Sequence, residues 1–113
     1  MNIQLYIRKK NFDVQKAERY FKERRIPVQV MDLKKHKLGE RELQTMARAV
    51  GLENLLDRDD KKVKEHPAAY CNIESALIGY ILDNPWLLRA PVVRNGSRVT
   101  VGYCPDVWET WKE

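Results

Sequence analysis

A chain of 113 residues with 43% hydrophobic and 33% charged residues has the composition of a soluble globular protein, which excludes a disordered or fibrous one. Its length fits one domain over residues 1–113, and no apolar run is long enough to span a bilayer. The formal charge of +5 is concentrated early, because residues 1–66 hold 17 Lys and Arg against 11 Asp and Glu. This bias suits an anion, a nucleic acid or an acidic protein surface, although we favour a solvated basic face.

The N-terminus lacks the basic-then-apolar layout of a secretion signal, so we expect a cytoplasmic protein. The two cysteines, Cys71 and Cys104, are widely spaced, and their spacing supports neither a disulfide framework nor a zinc site. His36 and His66 have no partner at metal-ligand spacing. We therefore expect no bound metal.

The chain begins with a predicted strand over residues 2–7, in which apolar residues alternate with Gln4 and Tyr6. The next segment is a predicted helix that Asn11 or Asp13 caps and Pro27 ends. Its apolar face comprises Val14, Ala17, Tyr20 and Phe21. A second strand follows over residues 28–31, and the length of the crossover predicts two parallel strands in a right-handed β-α-β unit.

The middle of the chain is predicted to be mainly helical. One apolar stripe ends at Gly51, and a second ends at the stop formed by residues 83–85. A charged segment over residues 57–66 separates them. The stripes comprise Leu43, Met46, Ala47 and Val50 in the first helix, and Ile73, Ala76, Leu77, Tyr80 and Ile81 in the second.

The last third of the chain returns to β-structure. Residues 91–94 and 98–103 are predicted strands joined at Asn95-Gly96, a strong hairpin signal. A short helix follows, with Val107, Trp108 and Trp111 on its apolar side. This element order predicts an α/β, thioredoxin-like three-layer fold, in which a mixed four-stranded sheet carries helices inserted between its halves.

Two stretches resemble the arsenate reductase (ArsC) and Spx family of thioredoxin-fold proteins. One is Leu87-Leu88-Arg89-Ala90-Pro91-Val92-Val93 followed by Val101-Gly102-Tyr103, which is similar to the family's leucine-rich lead into Arg-Pro, strand, turn and Val-Gly-aromatic. The other is the spacing from Leu5-Tyr6 through Asn11 to Ala17, which is similar to the family's strand, nucleophile and helix. Together with Gly51, Leu55 and Leu56, the resemblance covers nearly the whole chain.

The resemblance also implies departures from the family's chemistry. It places Asn11 at the nucleophilic cysteine and Val14 at the second cysteine of the Spx-type switch, and neither residue forms a thiolate. Ala90 stands where the family has an arginine before its cis-proline. The adjacent Arg89 is no automatic substitute, because neighbouring side chains on an extended chain point to opposite faces. A further family arginine aligns near Arg58, with a one-residue ambiguity.

The candidate ligand-binding residues form a set around the N-terminus of the first helix. They comprise Arg8, Lys9, Lys10, Asn11, Arg58, Arg89 and Pro91. Cations beside helix-end N–H groups suit an anion, although a solvated basic loop is the alternative. We favour an ordinary helix cap for Asn11 over a ligand contact. By resemblance Pro91 is a cis-proline, and an ordinary trans proline is the alternative.

The two thiols are candidates for a relocated nucleophile. Cys71 lies near the start of a predicted helix, and Cys104 follows the last strand at the mouth of another. We favour the interpretation that each is a thiol without a catalytic role.

These observations predict a catalytically degenerate family member that acts as a binding or transcription-regulatory module and has no catalytic residue or cofactor. The Spx branch implies a cytoplasmic bacterial protein with RNA polymerase as the kind of partner. The alternative is a thiol-dependent, glutathione-linked reductase that uses Cys104 or Cys71. Direct nucleic-acid binding is not expected, because the tryptophans are not interleaved with the basic residues.

Overall fold

A computed structural model describes residues 1–111 and shows four strands and six α-helices within that range. The strands are β1 (Ile3–Ile7), β2 (Val28–Asp32), β3 (Val92–Asn95) and β4 (Arg98–Val101). The helices are α1 (Phe12–Glu23), α2 (Glu40–Val50), α3 (Leu52–Leu55), α4 (Lys61–Lys64), α5 (Glu74–Asp83) and α6 (Pro105–Trp108). Two 3₁₀ turns, Pro67–Tyr70 and Pro85–Leu87, flank α5.

The four strands form one mixed sheet in the order β2-β1-β3-β4. β1 and β2 are parallel, with Ile3 opposite Val28, so the predicted β-α-β unit is confirmed. β1 pairs with β3 and β3 with β4 in antiparallel register, and the turn at Gly96 has the positive φ of 64° that favours glycine there. The predicted hairpin is therefore also confirmed.

Each face of the sheet is covered by helices, because successive side chains on a strand point to opposite sides. Leu5 and Val93 pack with Phe21 of α1 and with Trp108, at the end of α6. Tyr6 packs on the opposite face, in a cluster with residues of the middle helices. These middle-helix residues include Leu43, Met46, Leu77 and Ile81. The result is the predicted three-layer arrangement.

The apolar stripe predicted for α5 is partly wrong. The helix begins at Glu74, so Ile73 precedes it as the N-cap and is 65% exposed. Ala76 also faces solvent, whereas Leu77 and Ile81 are buried. The face that packs against the sheet is therefore narrower than the sequence pattern indicates.

The charged segment over residues 57–66 is anchored rather than freely solvated. It contains α4, whose Val63 is fully buried. Leu56 forms an antiparallel bridge with Leu88, and the Arg89 amide donates to the Leu55 carbonyl at 2.7 Å. This pairing holds the start of the charged segment beside the chain that enters β3.

One polar network crosses the sheet face that the middle helices cover. The buried Tyr6 hydroxyl donates to Glu42 Oε2 at 2.6 Å, and His36 Nε2 lies 3.1 Å from the same oxygen. Burial and this hydrogen bond raise the pKa of Tyr6 to about 12. The network ties the loop after β2 to α2.

Within residues 1–111, no helix has the length and apolar content needed to cross a membrane.

Candidate functional site

Asn11 joins the N-terminus of α1 to the chain before β3. Its side-chain oxygen accepts a hydrogen bond from the Val14 amide at 2.7 Å, which is the N-cap bond expected of asparagine. Its amide nitrogen donates to the Ala90 carbonyl at 3.0 Å. The Ala90–Pro91 peptide bond is cis, as the resemblance implies. We call this contact of Asn11 with the Ala90 carbonyl, directly before the cis bond, the Asn11 joint.

The end of the hairpin closes the other side of the joint. The Gly102 amide donates to the Pro91 carbonyl at 2.8 Å. Gly102 has a φ of 85°, a conformation that residues with a Cβ rarely adopt. The segment before β3 therefore contacts both the end of β4 and the N-cap of α1.

Arg58 and Arg89 are both paired with carboxylates. Arg89 Nη2 lies 3.7 Å from Asp59 Oδ2, and Arg58 Nη2 lies 3.1 Å from Glu53 Oε2. Arg58 Nε is buried without a hydrogen-bond partner among the described residues. Neither guanidinium has a hydrogen bond to Asn11 in this part of the chain, so the structure does not gather these arginines into an anion clamp around it.

Arg8 is committed to internal partners. Its guanidinium donates to the Trp86 carbonyl at 2.8 Å, to Asp57 at 2.9 Å and to Asp60 at 3.1 Å. The side chain is only 8% exposed. Arg8 therefore fastens β1 to the charged segment and to the turn before β3, and it presents no free guanidinium at Asn11.

Asp60 is held in its ionised form by this arrangement. Burial opposes its ionisation, but amide donors from Val63 and Lys62, together with the Arg8 charge, outweigh burial and lower its pKa below the ordinary 3.8. The same carboxylate caps α4, since its Oδ1 accepts from the Lys62 amide at 2.9 Å. Asp60 thus serves both the helix and the ion pair.

The remaining predicted cations diverge. Lys10 extends along α1, where its Nζ lies 3.6 Å from Glu18 Oε2. Lys9 is 63% exposed and lines an open cavity of about 570 Å³. We call this cavity the basic groove, and its lining residues are Arg8, Lys9, Lys34, Asp60, Lys61, Lys62 and Trp86.

Most residues of the basic groove were not predicted from the sequence. Lys34, Lys61, Lys62 and Trp86 are absent from the candidate ligand-binding residues. The available signal was charge density, because residues 34–37 and 61–64 are each lysine-rich. Only the fold brings these two segments beside Lys9 and a tryptophan.

Cys104 lies on the α1 side of the molecule, close enough to Asp13 for the two groups to interact electrostatically. Its thiol donates to the Val101 carbonyl at 3.3 Å. Burial raises its pKa above the ordinary 9.0, a hydrogen bond with Thr100 opposes the rise, and the Asp13 carboxylate adds to it. A raised thiol pKa is the opposite of what a nucleophilic cysteine needs.

Cys71 lies with the middle helices. It follows the 3₁₀ turn Pro67–Tyr70, and its thiol donates to the Ile73 carbonyl at 3.4 Å. It packs against the core cluster on the sheet face that the middle helices cover, whereas Cys104 packs against the cluster on the other face. The two thiols therefore do not form one site.

Phe12 is the most exposed large hydrophobic residue of the described chain, at 80%. It is the first residue of α1 and directly follows Asn11. Aromatic residues are enriched at protein interfaces relative to the rest of the surface. Phe12 was not among the residues selected from the sequence, because its position in the helical pattern does not show how exposed its side chain is.

The described residues offer no group of three or more His, Cys, Asp or Glu side chains that could hold a metal ion. The polar groups around Asn11 instead satisfy one another.

Comparison with known proteins connects this architecture to one family. The model of the ArsC family matches residues 6–111. Similar structures include a protein named YffB, with 22% identity, a TM-score of 0.82 and coverage of 96% of this chain and 97% of that one. An ArsC family related protein from Bacteroides fragilis has 21% identity, a TM-score of 0.81 and coverage of 99% and 98%.

An arsenate reductase from Vibrio cholerae has 17% identity, a TM-score of 0.79 and coverage of 95% and 94%. Comparison with curated proteins gave no match. At these identities the structural likeness establishes the thioredoxin-like fold.

Proposed function

Because the chain belongs to the ArsC family, we propose that it is a member that acts by binding a protein partner instead of by thiol chemistry. The observation that carries this proposal is the Asn11 joint, in which the side-chain oxygen and the side-chain nitrogen each make a hydrogen bond within the fold, at 2.7 and 3.0 Å. By resemblance this is the position of the family's nucleophile. Asparagine there holds two parts of the fold together and supplies no nucleophile.

The charges near the joint support the same proposal. Arg8 and Arg89 face carboxylates, and therefore offer less positive charge to an incoming oxyanion than their number suggests. The Cys104 thiol has a raised pKa, which keeps it protonated at neutral pH.

The binding surface proposed for this role includes Phe12. Aromatic residues at the centre of protein interfaces commonly contribute most of the binding energy. Phe12 is exposed at the end of a helix that Asn11 ties to the chain before β3, so the backbone that carries it is held in place before binding. A regulatory protein that docks on bacterial RNA polymerase is the form of this role that we propose to test first.

The test measures binding of purified bacterial RNA polymerase to the immobilised protein, with Phe12→Ala and Tyr70→Ala as a matched pair. Both aromatics are strongly exposed, at 80% and 75%, but only Phe12 lies beside the joint. We expect Phe12→Ala to weaken binding about tenfold, as for an interface hot spot, and Tyr70→Ala to leave it unchanged. Absence of binding by the unmodified protein would remove the polymerase proposal, and equal effects of the two changes would remove Phe12 from the surface.

The alternative function is a thiol-dependent reductase that uses glutathione, with Cys104 as its nucleophile. Its support is the electrostatic interaction of Cys104 with Asp13 in the first turn of α1, which puts this thiol on the joint's side of the molecule. Alkylation rates measured against pH for Cys71→Ser and Cys104→Ser distinguish the two proposals. A Cys104 midpoint well below the ordinary 9.0 would favour the reductase, and a midpoint above it would favour binding.

A further inference from the structure

The basic groove combines exposed positive charge with an aromatic side chain. Three exposed lysines, Lys34, Lys61 and Lys62, line it together with Lys9. Trp86 is half-buried and contributes an apolar surface to the groove. The cavity of about 570 Å³ is within the size range of ligand-binding clefts.

The acidic and guanidinium groups of the groove neutralise one another. Arg8 is paired with Asp57 at 2.9 Å and with Asp60 at 3.1 Å, while Lys9 Nζ lies at the longer distance of 3.8 Å from Asp60. The other three lysines therefore supply most of the groove's net charge. They come from two segments, the loop after β2 and α4, so a ligand with several charged groups can contact more of them than a single small ion can.

A compact phosphate has no preformed cradle here. Bidentate recognition of phosphate needs a free guanidinium, and that of Arg8 is already engaged. Backbone amides are the other usual donors, and those of Lys62 and Val63 already donate to Asp60 at 2.9 and 3.2 Å.

An extended acidic peptide fits these features better. Its carboxylates can be distributed among separate lysine side chains, which are flexible point charges and need no fixed geometry. An apolar side chain among its acidic residues can pack against Trp86. We propose that the basic groove binds an acidic segment of a partner protein that carries at least one large apolar residue. This inference rests on the proposed binding role and assigns a chemistry to the partner.

The test uses a labelled synthetic peptide of the sequence GDEDFEDEG and the full chain. Two comparison peptides separate the contributions: GNQNFQNQG keeps the aromatic residue without charge, and GDEDGEDEG keeps the charge without the aromatic residue. Inorganic phosphate and a single-stranded oligothymidine are the other probes. We expect the first peptide to bind most tightly, the uncharged one not to bind, and affinity to fall as salt rises.

A matched pair of charge-reversed variants locates the site. Lys34→Glu with Lys61→Glu changes two groove residues, and Lys35→Glu with Lys64→Glu changes two exposed lysines of the same segments that do not line the groove. Each pair lowers the formal charge from +5 to +1, so the general electrostatic attraction is the same in both. We expect the groove pair to weaken peptide binding about tenfold and the control pair less than about twofold.

The Trp86 indole provides a direct readout. In a ¹H–¹⁵N spectrum we expect its indole signal, assigned with Trp86→Phe, to shift on adding GDEDFEDEG. The signal of the buried Trp108, whose indole donates to Thr100 at 2.8 Å, should stay in place.

Equal losses in the two lysine pairs, tight binding of the uncharged peptide, or preference for phosphate or oligothymidine would each overturn the inference. If the acidic peptide fails to bind while Phe12→Ala still weakens polymerase binding, only the chemistry assigned to the groove is wrong. If both fail, the binding role itself is wrong.

Discussion

The Asn11 side chain has one acceptor and one donor group, and both are used within the fold. The acceptor caps α1 and the donor reaches the Ala90 carbonyl, 79 positions away in the chain. A residue at this position therefore affects the folding of the whole domain as well as that of a single helix.

This dual use predicts a graded loss of stability at position 11. Asn11→Ala should lower the free energy of unfolding by about 1–3 kcal/mol, because the cap and the bond to Ala90 are both lost. Asn11→Ser, which keeps a capping hydroxyl, should cost less. Urea unfolding measures both, with the exposed Asn72→Ala as a control expected within about 0.5 kcal/mol of the unmodified protein. If Asn11→Ala lowers the free energy of unfolding no more than Asn72→Ala does, the two Asn11 hydrogen bonds do not stabilise the fold.

At this scale, contacts between residues close in the sequence could be predicted, and contacts between residues far apart in the sequence could not. The Asn11 cap depends on a residue three positions away, and it was predicted. The Arg8 ion pairs join residues 49 and 52 positions apart, and no local pattern indicates that the carboxylates of residues 57–66 will meet this arginine. Arg8 was expected to bind an anion because the sequence does not reveal that Asp57 and Asp60 pair with it.

At the scale of elements, short backbone hydrogen bonds position the joint. Gly102 ends the hairpin with a positive φ and donates to Pro91, while the end of α3 pairs with the segment before β3. The alternation of β1 and the Asn-Gly turn made the sheet predictable from sequence. The short α3 and α4 were not resolved there, because four-residue helices carry too few residues for a periodic pattern.

Two glycine substitutions test this account of the elements. Gly102→Ala should destabilise the protein by about 1–2 kcal/mol, since it forces a Cβ into a left-handed conformation. Gly79→Ala should stabilise it by about 0.5–1 kcal/mol, because Gly79 is inside α5 and an added Cβ there has no atom within 4 Å. Thermal and urea unfolding of both variants provide the measurement. A Gly102→Ala variant as stable as Gly79→Ala would show that the hairpin end does not constrain the joint.

At the scale of the whole molecule, the free energy of unfolding depends on pH, because folding lowers the pKa values of two carboxyl groups. Burial opposes the ionisation of Glu42, but donors from Tyr6, Gly39 and His36 outweigh it, and Asp60 is held below its ordinary pKa in a similar way. A carboxyl whose pKa is lowered by folding stabilises the native state above its unfolded pKa, and this contribution is lost as pH falls through the folded value. The ordinary values are 4.5 for Glu42 and 3.8 for Asp60.

We therefore expect the free energy of unfolding to decrease as pH falls below about 4, from the loss of these two carboxylates. The variant Asp60→Asn should be less stable at pH 6 and should lose less stability on going to pH 3. Urea unfolding at the two pH values measures the difference. An unchanged pH dependence in this variant would show that the Arg8 and α4 contacts of Asp60 contribute no linked stability.

We propose that this ArsC-family chain carries out no thiol chemistry at the joint, and an arsenate reduction assay tests this proposal. The assay measures arsenite formed from arsenate with reduced glutathione and glutaredoxin, for the unmodified protein and for Cys71→Ser and Cys104→Ser. We expect the rate of arsenite formation to equal that of the protein-free blank for all three proteins. Turnover by the unmodified protein that Cys104→Ser or Cys71→Ser abolishes would contradict it.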